Sequence, residues 1–320
     1  MFIVTGGAGF IGSNLVKGLN ERGQDDILIV DNLGSSMKFK NLNSLRYRDF
    51  LHKDDFLTRL ESGEYGHERI EGIFHNGACS ATTESDGNYM MRNNYEYSKT
   101  LLHFAIDRKI PFIYASSASV YGNGENGFCE TEECEKALNV YAFSKLQFDR
   151  YVRRVLPQAT SQIVGLRYFN VFGPNEVHKG RMASTLFHFY NQISESGIAR
   201  LFGEYGGYGP GEQRRDFIYV KDVVNVNLFF LENLSTSGIF NCGTGHARSF
   251  NDVVHAVAKA CDKGTIEYIP FPDDLKGKYQ SYTQADAGNL LRAGYRDGFT
   301  SLETAAAEYI DCLKQQGGLL

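Results

Sequence analysis

The sequence predicts an α/β protein with a doubly wound parallel sheet and a smaller α/β lobe. Short apolar segments alternate with longer amphipathic ones through the first half of the chain, which is typical of a parallel sheet covered by helices on both faces. The first apolar segment runs directly into a glycine-rich turn and a helical pattern. After about residue 170 the alternation weakens, which indicates a second, less regular part.

The predicted strands of the main sheet are short, apolar and separated by helical patterns. They cover residues 2–4, 27–30, 72–75, 112–115 and 163–168. Residues 89–108 are predicted to form one long helix before the fourth strand. In the second part, strands are expected at 216–220, 238–242 and 266–269, a loop at 202–211, a last helix near 301–314 and a frayed tail at 315–320.

The glycine-rich turn after the first strand predicts a dinucleotide site. Gly6, Gly9 and Gly12 follow a G-x-x-G-x-x-G spacing, and the helix begins within this run. Glycine lets the backbone approach a pyrophosphate, and a helix N-terminus offers N–H groups and a positive dipole to it. Asp31, after the second strand, is placed to accept from ribose hydroxyls. A tight turn without a ligand is the alternative.

Composition limits the possible functions. The 320 residues carry a net charge of −5 with 42% hydrophobic content, which argues against a general nucleic-acid or membrane-surface binder. No apolar run reaches transmembrane length, and no leader is expected before the first strand. The six cysteines show no C-x-x-C spacing, so we expect reduced thiols in a cytoplasmic protein and no metal site.

Tyr141 and Lys145 form the second chemical motif. Four residues apart on a helix, they share a face, and the lysine is expected to lower the pKa of the phenol. Tyr95 and Lys99 repeat this spacing. Position separates the two pairs, because only Tyr141 follows the predicted strand that ends near Ser117, where ligands bind in open parallel sheets. We therefore predict Tyr141 as an acid/base and Tyr95 as a packing residue.

These motifs together resemble those of the extended short-chain dehydrogenase/reductases that act on nucleotide sugars. The resemblance implies a Rossmann fold. The later segments 167–174, 215–223 and 241–245 resemble theirs as well. More narrowly, residues 75–84, 89–94, 177–184, 268–273 and 275–279 resemble the ADP-heptose 6-epimerase family. The implied division is a Rossmann NADP-binding domain at about 1–170 and 217–242, with a substrate-binding lobe at about 171–216 and 243–320.

The resemblance implies redox epimerisation with two acid/base groups. The planar ketone must present its other face to the returning hydride, and one base is poorly placed for both faces. Tyr141 and Lys179 are implied for the two half-reactions, Ser117 for the reacting oxygen, and Lys145 beside Tyr141. Nucleotide-sugar dehydratases carry an Asp-Glu pair where Ala118-Ser119 stand here, so elimination of water is not expected. An exposed loop lysine is the alternative for Lys179.

The cofactor prediction is NADP, with NAD as the alternative. Asp31 favours an unmodified ribose and hence NAD. The resemblance instead directs Lys38 and Lys53 toward a 2′-phosphate, with Asn32 as a neutral donor. The cofactor-binding residues implied are Gly6, Gly9, Phe10, Ile11, Gly12, Asp31, Asn32, Lys38, Lys53, Asn76, Gly77, Ala78, Cys79, Ser80, Asn93, Tyr141, Lys145, Val171 and Lys179.

The implied substrate is an ADP-heptose of the lipopolysaccharide core, and a homo-oligomer, a pentamer, is the implied assembly. Arg181, where a small hydroxyl residue is expected, and the long glycine-rich loop 202–213 depart from the family pattern. The alternative hypotheses are another nucleotide-sugar epimerase, such as a UDP-hexose 4-epimerase, and a catalytically inactive dinucleotide-binding regulator. The substrate-binding residues implied are Ser117, Asn170, Arg181, His188, Phe202, Gly203, Glu204, Tyr205, Arg215 and Tyr279.

Overall fold

The computed structural model describes residues 1–34, 36–277 and 279–320. The strands are β1 Phe2–Thr5, β2 Ile27–Asp31, β3 Asp49–His52, β4 Gly72–His75, β5 Phe112–Ser117, β6 Ile163–Tyr168, β7 Asn170–Phe172, β8 Ile198–Phe202, β9 Arg214–Tyr219, β10 Gly238–Cys242, β11 Ala247–Ser249 and β12 Thr265–Ile269. The α-helices are α1 Phe10–Glu21, α2 Lys53–Glu61, α3 Gly87–Met90, α4 Tyr97–Asp107, α5 Val140–Val155, α6 Thr185–Ser196, α7 Val220–Glu232, α8 Phe250–Cys261, α9 Gly288–Arg292 and α10 Leu302–Gln316.

Shorter helical segments complete the chain. A π-helical segment covers Met91–Glu96. The 3₁₀ segments are Met37–Leu42, Glu64–His67, Ala118–Tyr121, Glu132–Cys134, Leu156–Gln158, Val177–Met182 and Asp273–Leu275.

Seven parallel strands form the main sheet, in the order β10-β6-β5-β4-β1-β2-β3. Successive side chains of β1 enter opposite cores: Phe2 and Val4 pack with α1 and α7, and Ile3 packs with α2, α4 and α5. Both faces are therefore covered, and the predicted doubly wound class is confirmed. Sequence reasoning missed β3, because its Asp and His ends hide the short apolar centre.

The strand order places the crevice of this fold beside β1. The chain crosses from β1 to β2 on one side and reaches β4 on the other. The helices that follow β1 and β4 lie on opposite faces of the sheet, so the carboxyl ends of these two strands open a gap. Ligands of open α/β sheets bind in such gaps. The glycine-rich turn and residues 76–80 both lie at this edge.

The smaller lobe has its own sheets and core. Strands β11, β9 and β7 form one sheet and β12 and β8 another. Helices α6, α8 and α10 pack on them through a core that includes Phe189, Val253 and Ile310. Strand β9 begins before residue 217 and belongs to this lobe's sheet, whereas β10 belongs to the main sheet. The domain limits given above stay a prediction.

Two sequence expectations were wrong. Residues 89–108 do not form one continuous α-helix, because a π-helical segment separates α3 from α4. There Asn94 turns inward, and such segments often mark functional sites. The tail is not frayed: α10 extends to Gln316, and residues 318–320 hydrogen-bond to buried parts of the chain. Tertiary contacts that local sequence does not reveal cause both differences.

Candidate active site

The turn between β1 and α1 is built so that only glycine fits. Gly6 has a φ of +67°, and a Cβ there would lie 2.7 Å from the backbone nitrogen of Gly77. A Cβ on Gly12 would lie 2.2 Å from the carbonyl oxygen of Gly6. Gly9 is the N-cap of α1 and has no side chain to bind the first-turn N–H groups. These uncapped donors fit the pyrophosphate of a dinucleotide.

Two adjoining cavities extend from this turn, with volumes of about 530 Å³ and 210 Å³. They share Gly6, Asp31, Lys38, Gly77 and Ala78 in their walls. Every residue predicted for the cofactor lines one cavity or the other. The larger includes Gly9, Phe10, Ile11, Gly12, Asn76, Ser80, Tyr141, Lys145, Val171 and Lys179, and the smaller includes Asn32, Lys53, Cys79 and Asn93.

The acid at the end of β2 already has a cationic partner. One oxygen of Asp31 accepts from the backbone N–H of Ala8 at 2.8 Å, and the other accepts from Lys38 Nζ at 2.7 Å. Lys53 Nζ donates to Asn93 at 3.1 Å across the smaller cavity. Two lysines therefore border the end of the site where Asp31 lies, and one of them offsets its charge.

The reacting end of the larger cavity holds Ser117, Tyr141 and Lys145. Ser117 ends β5, and its hydroxyl oxygen accepts from Ser119 Oγ at 2.9 Å. Lys145 Nζ donates to the carbonyl of Ala115 at 2.8 Å. Ser117 and Lys145 are 28 positions apart in the sequence. Strand β5 and helix α5 bring them, together with Tyr141, into one cavity.

The pKa shifts differ from the sequence expectation. Burial raises the pKa of Tyr141, while the hydrogen bond to Ser117 opposes that rise. Burial lowers the pKa of Lys145 to about 8, and nearby Asp149 opposes that change. The expectation that Lys145 lowers the pKa of Tyr141 was wrong for this structure, because the cost of burying a phenolate dominates. Tyr141 is protonated at neutral pH and is ready to donate.

Lys179 reaches the same cavity from a different part of the chain. It lies in the 3₁₀ segment before Gly180, whose φ of +53° breaks the helical path. Its ammonium lies 5.2 Å from the centre of the Phe10 ring. Burial lowers the pKa of Lys179, and the carboxylate of Glu176 opposes this. A lysine with a lowered pKa can act as a base, so the cavity is lined by two side chains, Tyr141 and Lys179, that are chemically able to exchange a proton.

The repeated Tyr-Lys spacing lies elsewhere. Lys99 Nζ sits 4.5 Å from the centre of the Tyr95 ring and pairs with Glu96 at 2.7 Å. Tyr95 also packs edge-on against Tyr151, with ring centres 6.1 Å apart. These contacts give Tyr95 a packing role and keep it out of the cavity walls described above.

Part of the predicted substrate set forms an aromatic cluster in the smaller lobe. Tyr205 stacks on Phe271 at 3.9 Å, and Phe202 and Tyr279 pack around the same ring. The buried guanidinium of Arg215 lies 5.0 Å from the Tyr279 ring, and burial lowers the pKa of Arg215. A buried guanidinium beside aromatic faces can bind a nucleoside diphosphate. Lys278, within the motif at 275–279, lies outside the described residues.

The other predicted substrate residues are more scattered. Asn170 is exposed and accepts weakly from Thr283 at 3.5 Å. Arg181 and Glu204 are exposed, and His188 is half-buried on α6. The backbone of Gly203 donates to Ile269 at 2.8 Å, which ties the long loop to β12. Of the predicted substrate set, only Ser117 is in the wall of the larger cavity.

Sequence reasoning missed two buried residues that hold the reacting end. Asn94 accepts from the backbone of Cys79 at 2.8 Å and donates to Ser144 at 3.1 Å, which ties the 76–80 loop to α5. Asp149 accepts from Tyr114, Ser116 and Arg167, each at 2.9 Å. Spacing held a signal for Asp149, since it lies four residues beyond Lys145 on one helical face.

His178 was missed as well. It lines the larger cavity between Lys38 and Lys179, and its Nδ1 lies 3.2 Å from Asn41 Nδ2. Burial, reinforced by those two lysines, lowers the pKa of His178 to about 4. This histidine is therefore neutral at physiological pH. No cluster of three or more acidic, His or Cys side chains placed to hold a metal occurs in the described part of the chain.

The glycine turn, the paired cavities and the Ser117, Tyr141 and Lys145 set define a dinucleotide-dependent enzyme of the short-chain dehydrogenase/reductase class. The profile of the NAD dependent epimerase/dehydratase family matches residues 2–243. The chain is 54% identical to an ADP-L-glycero-D-manno-heptose-6-epimerase of Brachyspira hyodysenteriae, covering 100% of both chains. It is 56% identical to the protein of that name from Alkalilimnicola ehrlichii, covering 98% of this chain and 97% of that one.

A solved structure agrees. The ADP-L-glycero-D-manno-heptose-6-epimerase of Helicobacter pylori superposes with a TM-score of 0.84 and 31% identity, covering 98% of this chain and 96% of that one. The chain belongs to the NAD dependent epimerase/dehydratase family and, within it, to the ADP-L-glycero-D-manno-heptose-6-epimerases. Across the described residues, every helix is too short or too polar to span a membrane.

Proposed function

We propose that this enzyme interconverts ADP-D-glycero-D-manno-heptose and ADP-L-glycero-D-manno-heptose. The reaction inverts C6 through a transient 6-ketone and serves heptose synthesis for the lipopolysaccharide core. One observation carries the chemistry beyond family membership: Tyr141 and Lys179, from different parts of the chain, line one cavity that also contains the glycine turn. Two such groups suit an epimerase, since hydride leaves one face of the carbon and returns to the other, and a base suited to one face is poorly placed for the other.

The residues support a two-base mechanism. The residues that line the two cavities would hold a nicotinamide dinucleotide, which would supply the hydride acceptor and donor when bound. Ser117 hydrogen-bonds the C6 oxygen and stabilises its developing charge. Tyr141 and Lys179 each exchange the hydroxyl proton in one half-reaction, and the lowered pKa of Lys179 makes its neutral amine accessible. Lys145, with a pKa of about 8, supplies positive charge beside Tyr141.

We propose NADP as the cofactor. Lys38 and Lys53 support this choice, because both border the ribose end and Lys38 offsets Asp31. An epimerase that recycles its hydride has no need to release the nucleotide, so it should copurify with the protein. Mass spectrometry after denaturation should detect NADP. NAD alone would overturn the roles proposed for the two lysines and restore Asp31 as the ribose-binding acid.

The remaining parts of the proposal concern substrate, assembly and location. The cluster around Arg215 and Tyr279 is proposed to bind the ADP moiety, which the buried guanidinium supports. A homo-oligomer, a pentamer by family resemblance, would give a molar mass near five times 35.9 kDa by analytical ultracentrifugation. We place the enzyme in the cytoplasm, where cysteines stay reduced. The six cysteines are free in the structure.

The reaction itself is tested with substrate deuterated at C6. If the ketone forms and is reduced in place, product formed in ordinary water should retain the deuterium. NMR at C6 measures both epimer ratio and label. Loss of label to solvent would refute the redox route. Turnover of a UDP-hexose but not of ADP-heptose would identify the rival 4-epimerase, and no turnover of either would support the inactive regulator.

A further inference from the structure

Asn175 is the most constrained residue near the proposed second base. It is 0% exposed and has a φ of +71°, which is uncommon for a residue with a side chain. The strain of such a conformation persists only when surrounding contacts hold it. In Asn175 all four polar groups, two backbone and two side-chain, take part in hydrogen bonds.

These bonds join three separate segments. The side-chain amide of Asn175 donates to Ser13 Oγ in α1 at 3.0 Å. Its backbone carbonyl oxygen accepts from the side chain of Asn41 at 3.1 Å, and Asn41 lies in the same 3₁₀ segment as Lys38. Asn175 therefore ties the first helix of the cofactor site to the segment that borders the ribose.

The third segment is the tail that sequence analysis expected to fray. The backbone N–H of Asn175 donates to the carbonyl of Gly318 at 2.7 Å, and its side-chain oxygen accepts from the N–H of Leu320 at 3.1 Å. The tail is held at its other side by Ser44, which donates to Leu320. Residues 318–320 therefore form a strap between Asn175 and Ser44.

Asn175 is directly followed by the turn that presents Lys179. The N–H of Lys179 donates to the carbonyl of Glu176 at 2.9 Å. The Glu176 side chain accepts from the hydroxyl of Ser184 at 2.6 Å, which closes the other end of the turn. Gly318 lies between α10 and this turn, since a Cβ on it would lie 2.7 Å from Leu313 and 2.9 Å from Val177.

We propose that Asn175, clamped by the strap, is a positioning residue that holds the Lys179 amine in the reaction cavity. The position of Asn175 favours this role, because this buried residue with a left-handed φ connects the strap to the turn that carries Lys179. Tyr141 lies on a different element and makes no part of this connection. Displacing a catalytic group by about 1 Å can cost roughly 100-fold in rate. The inference rests on the proposed function, because it assigns Lys179 a proton-transfer role.

The experiment compares truncation after Gly317 and Gly318→Ala with Gly317→Ala. Gly317 and Gly318 both have left-handed φ values, +61° and +80°, but a Cβ on Gly317 meets nothing within 4 Å. Backbone strain is therefore shared, and the collisions with Leu313 at 2.7 Å and with Val177 at 2.9 Å are specific to Gly318. We expect kcat to fall at least tenfold in the first two variants and by a clearly larger factor than NADP affinity, with KM within about threefold of the parent. Gly317→Ala should keep kcat.

A second measurement follows Lys179 directly in the protein without substrate. Reductive ¹³C-methylation labels lysines, and the Lys179 resonance is identified by its absence in Lys179→Arg. Its pH titration should show a lowered pKa in the parent and Gly317→Ala. In the strap variants it should move toward the usual lysine range of about 10.4, because the amine becomes solvated. Asn175→Gly, which removes strain and side-chain bonds together, should match the strap variants.

The outcomes separate this inference from the proposed function. An unchanged Lys179 titration in the strap variants would overturn the positioning role, even if thermal stability falls. A proportional loss of kcat and NADP affinity would also overturn it, since that result reflects general loosening of the fold. A Lys179→Met enzyme with normal turnover would instead remove the proposed second base, whatever the strap variants do.

Discussion

Replacing Asp149 by Asn tests whether a buried charge network supports the reacting end. The Asp149 carboxylate is 0% exposed and accepts three hydrogen bonds at 2.9 Å, from Tyr114, Ser116 and Arg167. Asparagine keeps the shape but has one acceptor oxygen, so its amide must face at least one of these donors. Arg167, also 0% exposed, would retain only Glu135 as an anionic partner.

The expected loss of stability is large. Breaking a buried ion pair by removing one charge costs about 3 to 5 kcal/mol. Urea unfolding followed by circular dichroism measures the free energy of unfolding. Glu308→Gln is a matched control, because it makes the same carboxylate-to-amide change in an ion pair with Lys221 that is about half exposed. That exposed pair should contribute about 0 to 1 kcal/mol.

The same substitution has a functional consequence. Asp149 raises the pKa of Lys145, opposing the effect of burial. Without it the pKa of Lys145 falls below about 8, so the charged form is lost at lower pH. The alkaline limb of the kcat profile should move toward acid. A loss of stability under about 1 kcal/mol together with an unchanged profile would refute the network's role.

The remaining predictions concern the two bases, the glycine turn and acid stability. Tyr141→Phe and Lys179→Met should each lower turnover by roughly 10²-fold or more, the usual effect of losing a general acid/base. The control variant Tyr95→Phe should change turnover little. Near-normal activity of Lys179→Met would refute the two-base assignment. Gly6→Ala should abolish dinucleotide binding measured by calorimetry, because the added Cβ would lie 2.7 Å from the backbone of Gly77; retained affinity would contradict the role of the glycine turn in binding. Burial lowers the pKa of His75 from 6.5 to about 3. Between these pH values the unfolded chain binds a proton that the folded protein does not, so the free energy of unfolding decreases as pH falls from about 6.5 toward 3. His75→Gln should flatten this part of a urea-denaturation pH series, and an unchanged slope would exclude His75 as its source.

Local patterns were enough to predict the framework of the site. The run from Gly6 to Gly12 predicts a ligand-binding turn because glycine spacing and the strand-to-helix change both lie within a few residues. Tyr141 and Lys145 are one helical turn apart, so their shared face follows from geometry alone. The alternation of short apolar segments identified most strands of the main sheet, since each strand is buried on both faces and reads as a continuous apolar run.

Tertiary structure alone decided how these parts act together. The pKa of Tyr141 depends on its burial, and the spacing of residues in the sequence does not reveal how deeply a side chain is buried. The tail was expected to fray because chain termini are commonly poorly ordered, yet it hydrogen-bonds to Asn175, far away in the chain. The π-helical segment likewise forms where Asn94 binds the 76–80 loop and α5. The sequence by itself determined most strands of the main sheet and the chemistry of the glycine turn and of the Tyr141 and Lys145 pair. The packing determined the protonation and positioning of the side chains, because both arise from contacts between distant segments.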